Sequence, residues 1–169
     1  AMLLGYEPIP CDCDSEDLGL CLSDFERICR EESPSVAIVV HVLGHSNKMK
    51  EISEICEKYN VILLEDCCEA YGAYYMGQKV GNFGLMSSFS FYFGHHMSTI
   101  EGGMVSTNNR ELKNILLSIR SHGWLRDVDD DFRQRHIKKH NITEFESLFT
   151  FIYPGMNLRS TDLSAFIGR

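Results

Sequence analysis

Two adjacent histidines, His95 and His96, follow the aromatic run "SSFSFYF" at residues 87–93 and precede a Gly-Gly turn at residues 102–103. An imidazole titrates near neutral pH and can both take and return a proton, so a histidine where a buried strand runs out into a loop is a candidate general base. Asp66 is a second candidate, because it closes the stretch "VILLED", which opens with four apolar residues. A carboxylate there is either a helix N-cap or turn former, or an acid placed at the rim of a sheet to hold a cation, and Glu69, three residues on, can share its site. Ser90 is a third. Strand alternation puts Ser88, Ser90 and Tyr92 on one face and Phe89, Phe91 and Phe93 on the other, so the Ser90 hydroxyl is either a satisfied core group or a ligand for an anion such as phosphate. A metal site is not indicated. Adjacent histidines project in different directions, and no further His or Cys lies nearby at ligand spacing.

The elements that must position these residues are legible in outline. Residues 36–43 form a continuous apolar, β-branched run, as expected for a strand buried on both faces. A helix is predicted from Lys48 to about Tyr59, with Met49, Ile52, Ile55, Cys56 and Tyr59 on one side and Asn60 as its C-terminal stop. "VILLED" is the next buried strand. Strand, helix and strand within about thirty residues make a βαβ unit, hence a parallel sheet whose functional residues gather past the carboxyl ends of its strands. Upstream, "YEPIPCDCD" reads as a short strand, and Ser23 with Glu26 as a capping box for a helix burying Phe25, Ile28 and Cys29. Downstream, "GGMVSTN" reads as a strand, and Asn108 as the cap of a helix burying Leu112, Ile115, Leu116 and Ile119. The charged stretch from Asp127 to His140 reads as a solvated insertion or surface helix.

Bulk properties narrow the function. The 169 residues suffice for one domain with a core, and 44% hydrophobic with 24% charged residues is ordinary for a globular protein. A formal net charge of −8 argues against a general nucleic-acid or anionic-membrane binder. The longest apolar run, at residues 36–44, is far short of a membrane span, and the first ten residues lack the basic start and apolar core of a signal peptide. The seven cysteines form no CxxC pair. They read as reduced thiols of a cytoplasmic protein.

Four motifs then occur in a telling order: "VILLEDCCEAYGA", "FSFYFGHHMSTIEGG", "RSHG" and "YPGMNLRSTDLSAFIG". In order and spacing they resemble the DegT-type sugar aminotransferases, pyridoxal-phosphate enzymes of the aspartate-aminotransferase fold that act on nucleotide-linked ketosugars. The resemblance runs over nearly the whole chain. It implies a three-layer α/β/α architecture with a mainly parallel sheet. The family pattern resembles SFxxxK followed by an acidic-Gly-Gly turn, and here His95 stands in the lysine position, five residues after Ser90 and six before Glu101. An amine condenses with the cofactor aldehyde; an imidazole cannot. Within the family this replacement resembles the ketosugar 3-dehydratases, and "FGHHMSTIEGGMV" most resembles those acting on GDP-4-keto-6-deoxymannose in deoxysugar and O-antigen synthesis.

The resemblance also implies roles for individual residues. His95 would be the base, Asp66 the partner of the pyridinium nitrogen, Glu69 a neighbour of the ring hydroxyl and Ser90 a phosphate ligand. Asn157 would reach the phosphate of a second subunit's cofactor, which implies a homodimer. His96 and His122 would support the site or touch substrate at most. Pyridoxal phosphate and its pyridoxamine form are the implied cofactors, a GDP-linked sugar the favoured substrate, and glutamate the amino donor. Some 3-dehydratases of this type carry an iron–sulfur cluster, with cysteines just after the "SHG" motif. Here that stretch has none, and Cys68 alone cannot hold a cluster.

Residues 1–169 are expected to be the central part of the large domain, without the N-terminal Gly-rich segment and the C-terminal small domain of the family. Two alternatives stand beside the dehydratase: an ordinary sugar aminotransferase, and a non-catalytic truncated relative.

Overall fold

The computed structural model describes residues 1–169. The chain divides into two compact units, Ala1–Ser106 and Thr107–Arg169.

The first unit is built on the βαβ repeat. Strand β1 (Val36–Val40), helix α2 (Met49–Tyr59) and strand β2 (Ile62–Asp66) follow one another, and β1 pairs with β2 in parallel. A two-stranded antiparallel ribbon, β3 (Tyr74–Tyr75) and β4 (Gln78–Lys79), precedes β5 (Met86–Ser90) and β6 (Gly103–Ser106). The main sheet has the order β1-β2-β5-β6, with β5 parallel to β2 and β6 antiparallel to β5. This is the expected α/β class with a mainly parallel sheet.

Helix α1 (Leu22–Glu32) and α2 cover one face of the sheet. Their apolar stripes meet Ala37, Val39, Val61 and Leu63, and Met49 and Ile52 are fully buried. Each such side chain contributes about 1.5–3 kcal/mol by leaving water. Asn60 ends α2 at φ 55°, donating its N–H to the carbonyls of Cys56 and Glu57.

The sequence expectation for residues 36–43 needs correction. The strand stops at Val40, and burial alternates along it: Ala37 and Val39 face the helices, while Val36, Ile38 and Val40 are exposed. An exposed row of β-branched residues is the face that a second helical layer covers in a three-layer sheet.

Three local readings also change. No strand forms at residues 6–14; that segment is held by a single antiparallel bridge between Cys13 and Leu20 and by Lys48, whose Nζ lies 3.0 Å from both Asp14 and Asp17. Ser23 caps nothing, since α1 starts one residue before it and Glu26 turns instead to Lys58 at 2.7 Å. Helix α3 (Arg110–Ile119) is capped by Asn109 rather than Asn108, its Oδ1 accepting the N–H groups of Glu111 and Leu112.

The second unit contains α3, α4 (Asp130–His140), α5 (Glu144–Ser147) and α6 (Asp162–Ile167). Its core is Leu125, Val128 and Phe132, packed with Ile115, Leu117, Ile142, Ile152 and Tyr153. The charged stretch is indeed a surface helix, α4, pinned inward by Phe132 and oriented by acids in its first turn and bases in its last. The motifs "RSHG" and "YPGMNLR" run side by side. His122 N–H donates to Met156 O at 3.0 Å, Met156 N–H to Ile119 O at 3.0 Å and Leu158 N–H to Arg120 O at 2.8 Å. Their close approach requires glycine: at Gly123 (φ +90°) a Cβ would lie 1.9 Å from Tyr153 O.

No helix is long and apolar enough to cross a membrane.

Candidate functional site

Three parallel strands end at one edge of the sheet. Val40, Asp66 and Ser88 lie in register across β1, β2 and β5, so Asp66 is the central strand's last residue with Ser88 beside it. Ser90 follows two residues further out. The candidate residues Asp66, Glu69, Ser90 and His95 therefore gather at the carboxyl end of β2 and β5, where a parallel sheet opens a ligand crevice.

Asp66 is half-buried, and its Oδ1 accepts the Cys68 N–H at 3.0 Å. That bond turns the chain off the sheet and fixes the carboxylate. Glu69 lies past the same turn, its Oε2 accepting the Leu43 N–H at 2.8 Å. The Ser90 hydroxyl oxygen accepts the Tyr92 N–H at 3.2 Å, which leaves its own hydrogen to donate to an anion.

His95 is half-buried and held by its backbone N–H to Tyr92 O at 3.0 Å. Its Nδ1 is buried and has no hydrogen-bond partner. An orphaned buried nitrogen is costly, and a site that receives a polar ligand is one reason to retain it. His96 is exposed instead and flanks Gly44, where an added Cβ would lie 3.6 Å from the imidazole and 3.1 Å from Glu69 O.

The other two candidates belong to the second unit. His122, at φ 61°, packs its ring 5.4 Å from that of Trp124. Asn157 is exposed, bridges to Ser121 through the backbone, and accepts the Arg159 Nε–H at 3.1 Å.

Beneath the strand ends lies a buried polar cluster that sequence reasoning missed. Glu65 and His41 have fully buried side chains, with His41 Nε2 3.3 Å from Glu65 Oε2. The Asn47 N–H donates to His41 Nδ1 at 3.2 Å, so Nδ1 carries no proton and the neutral ring donates from Nε2. Glu65 also accepts the N–H groups of Gly81, Phe83 and Gly84 at 2.6–2.7 Å. Burial pushes the Glu65 carboxyl up, but His41 and these backbone donors outweigh it and hold the group below its ordinary 4.5. The ligand atoms of His41, Glu65 and Cys67 lie within 4.8 Å of one another. The lone pairs of Glu65 and of His41 Nδ1 are nonetheless spent on N–H groups, and burial, aided by Glu65 and Asp66, pushes the Cys67 thiol up to about 12. The cluster is a hydrogen-bonded lock rather than an ion site. One signal was available in the sequence: alternation puts Glu65 on the same face as Val61 and Leu63, where a charge needs buried donors.

The profile of the DegT/DnrJ/EryC1/StrS aminotransferase family matches residues 1–169. The chain belongs to this family. Among its DegT-type relatives, the GDP-4-keto-6-deoxy-D-mannose 3-dehydratase of Yersinia pseudotuberculosis is 38% identical over 158 residues, covering 93% of this chain and 39% of that protein. The GDP-perosamine synthase of Escherichia coli O157:H7 is 37% identical over 119 residues, covering 70% of this chain and 32% of that protein. Among solved structures, the E. coli GDP-4-keto-6-deoxy-D-mannose-3-dehydratase with bound hydrated PLP matches with a TM-score of 0.79 at 34% identity, over 94% of this chain and 40% of that one. The chain thus spans about 40% of the length of the dehydratases it matches. The fold is that of the PLP-dependent aminotransferases.

Proposed function

We propose that residues 1–169 are the cofactor-holding central part of the large domain of a pyridoxal-phosphate-dependent 3-dehydratase acting on a nucleotide-linked 4-keto-6-deoxy sugar, with the GDP-linked sugar favoured. The observation that carries this reading is His95: an imidazole with a buried, unpartnered nitrogen where the family pattern has an amine.

The residues fit the cofactor. When bound, pyridoxal phosphate or its amine form supplies an electron sink conjugated to the substrate carbon skeleton. Asp66, fixed at the end of β2, accepts a hydrogen bond from the ring nitrogen and keeps it protonated. Ser90 donates its free hydroxyl hydrogen to the phosphate. Glu69 sits beside the ring hydroxyl. His95 holds and moves a proton at Nδ1, taking it from carbon and returning it to the departing 3-hydroxyl. Asn157 reaches the phosphate held by a second subunit, so the working form is a homodimer. Glutamate supplies the amine, and the seven free cysteines suit the reducing cytoplasm.

The likeness to a perosamine synthase favours a second reading, transfer of the amine to the sugar. Position 95 supports the first reading, because an imidazole cannot hold the cofactor covalently between turnovers. The test incubates the full-length protein with pyridoxal phosphate, glutamate and GDP-4-keto-6-deoxymannose. Ammonia release and a sugar that has lost its 3-hydroxyl are expected. An aminated sugar without ammonia release would establish the transaminase instead.

A further inference from the structure

Asp66 and Glu69 flank the edge of the sheet, but Glu69 is not held by its own strand. Its carboxylate is fixed by one N–H, that of Leu43, in a neighbouring turn at Val42–Gly44. This turn is strained. Leu43 adopts φ 53° and ψ 23°, the left-handed region that a side chain with a Cβ rarely occupies. Left alone, the turn would relax and the Leu43 N–H would swing away.

Five hydrogen bonds brace its base. The His41 N–H donates to Asp66 O at 3.0 Å and ties the turn's start to the end of β2. The His41 ring then spans the turn's base. Its Nε2 is anchored on Glu65, and its Nδ1 accepts the Asn47 N–H, closing the chain from residue 41 to residue 47. Asn47 completes the clasp: its Nδ2 donates to Val40 O at 2.8 Å, and its Oδ1 accepts the Leu20 N–H at 2.7 Å.

We propose that His41 is a positioning residue for Glu69: its buried ring, fixed between Glu65 and Asn47, holds the 42–44 turn in the conformation that aims the Leu43 N–H at the Glu69 carboxylate. The geometry stands by itself; its bearing on the cofactor rests on the proposed role of Glu69.

Amide exchange in the ligand-free 169-residue chain, followed by nitrogen–proton NMR, tests the geometry. In His41→Ala the Leu43 amide is expected to exchange about tenfold faster or more, while the β1 and β2 amides keep their protection, since local opening leaves the sheet closed. Glu69→Ala should reproduce the Leu43 effect. His41→Gln should restore near-native exchange, because its amide offers one donor and one acceptor at a similar separation. Unchanged Leu43 exchange in His41→Ala would overturn the proposal. So would a rise shared equally by the sheet, or failure of both His41 variants to fold, since either makes the ring a general stability element.

A second measurement addresses the cofactor. In the full-length protein loaded with pyridoxal phosphate, His41→Ala should shift the visible absorption band in the same direction as Glu69→Ala. A Leu43 response without any band shift in either variant would leave the positioning intact and remove Glu69 from the cofactor site.

Discussion

The ring of His95 stands edge-on to that of Tyr92, centroids 5.6 Å apart, and the His95 backbone N–H caps the Tyr92 carbonyl at 3.0 Å. Two contacts to one residue set the imidazole's direction as the chain leaves β5. Neither engages Nδ1, which is buried without a partner. In the proposed role as base, His95 would need that combination, a fixed ring with a nitrogen that no protein group engages.

If His95 occupies the family's lysine position, His95→Lys in the full-length protein should attach the cofactor covalently and collapse dehydration. His96→Lys should not, because adjacent side chains project in different directions and that of His96 flanks Gly44 instead. Borohydride reduction followed by peptide mass spectrometry reads the outcome. An adduct at position 96 and none at 95 would reassign the site, and a fully active, unmodified His95→Lys enzyme would remove the base assignment.

Asp66→Asn should leave the fold intact, since the asparagine oxygen still accepts the Cys68 N–H. It should nonetheless lower kcat by on the order of a hundredfold or more, the scale on which one preorganised electrostatic partner acts. Steady-state kinetics beside a thermal melt separate the two effects. Near-native turnover would make Asp66 a turn residue only.

Within the chain, Ser90 is the one residue assigned to the phosphate of its own subunit, and the chain spans about 40% of the dehydratases it matches. The isolated 169-residue chain is therefore expected to retain pyridoxal phosphate weakly or not at all. Titration with visible absorbance and thermal midpoint checks this, because tight binding must raise the midpoint. Stoichiometric binding at micromolar cofactor would show that these residues suffice.

Gly123→Ala places a Cβ against Tyr153 O, in a backbone conformation that already disfavours a side chain. A loss of about 3 kcal/mol or more is expected, at the upper end of overpacking costs. Trp124 is the only tryptophan and lies in the second unit, so its fluorescence during denaturation reports that unit alone. An unchanged midpoint would mean that the "RSHG" and "YPGMNLR" segments can part without cost.

The sequence made the βαβ unit and the position of Asp66 legible because both follow from local periodicity. Burial of Ile52 and Cys56, the stop at Asn60 and the strand end at Asp66 each depend on near neighbours in the chain. Capping was legible only to within a residue, because Asn108 and Asn109 are chemically equivalent and only the local turn, in which Thr107 Oγ1 accepts the Asn109 N–H at 3.1 Å, singles out Asn109. The pairing of "RSHG" with "YPGMNLR" and the cluster around Glu65 were not legible. Three of the Glu65 partners lie sixteen to nineteen residues downstream, in a glycine-containing loop without periodicity.

That cluster yields the last prediction. Glu65 accepts four donors with two oxygens, and none of those donors is a full positive charge. Glu65→Gln replaces one accepting oxygen by an amide NH2 group, which only donates, leaving buried N–H groups unpaired at a cost of about 3 kcal/mol. The pH dependence carries a sign. The folded Glu65 carboxyl lies below its ordinary 4.5, so in the window between the two values the unfolded chain binds more protons. The stability contributed by this group is present in full above pH 4.5 and is lost as pH falls through the depressed folded value. Denaturant melts of the wild-type chain should thus lose stability on acidification through that window, and those of Glu65→Gln should start lower and lose less. Parallel curves for the two proteins would mean that Glu65 titrates alike in the folded and unfolded chain, and curves that converge on raising the pH would mean that it is held as a neutral acid.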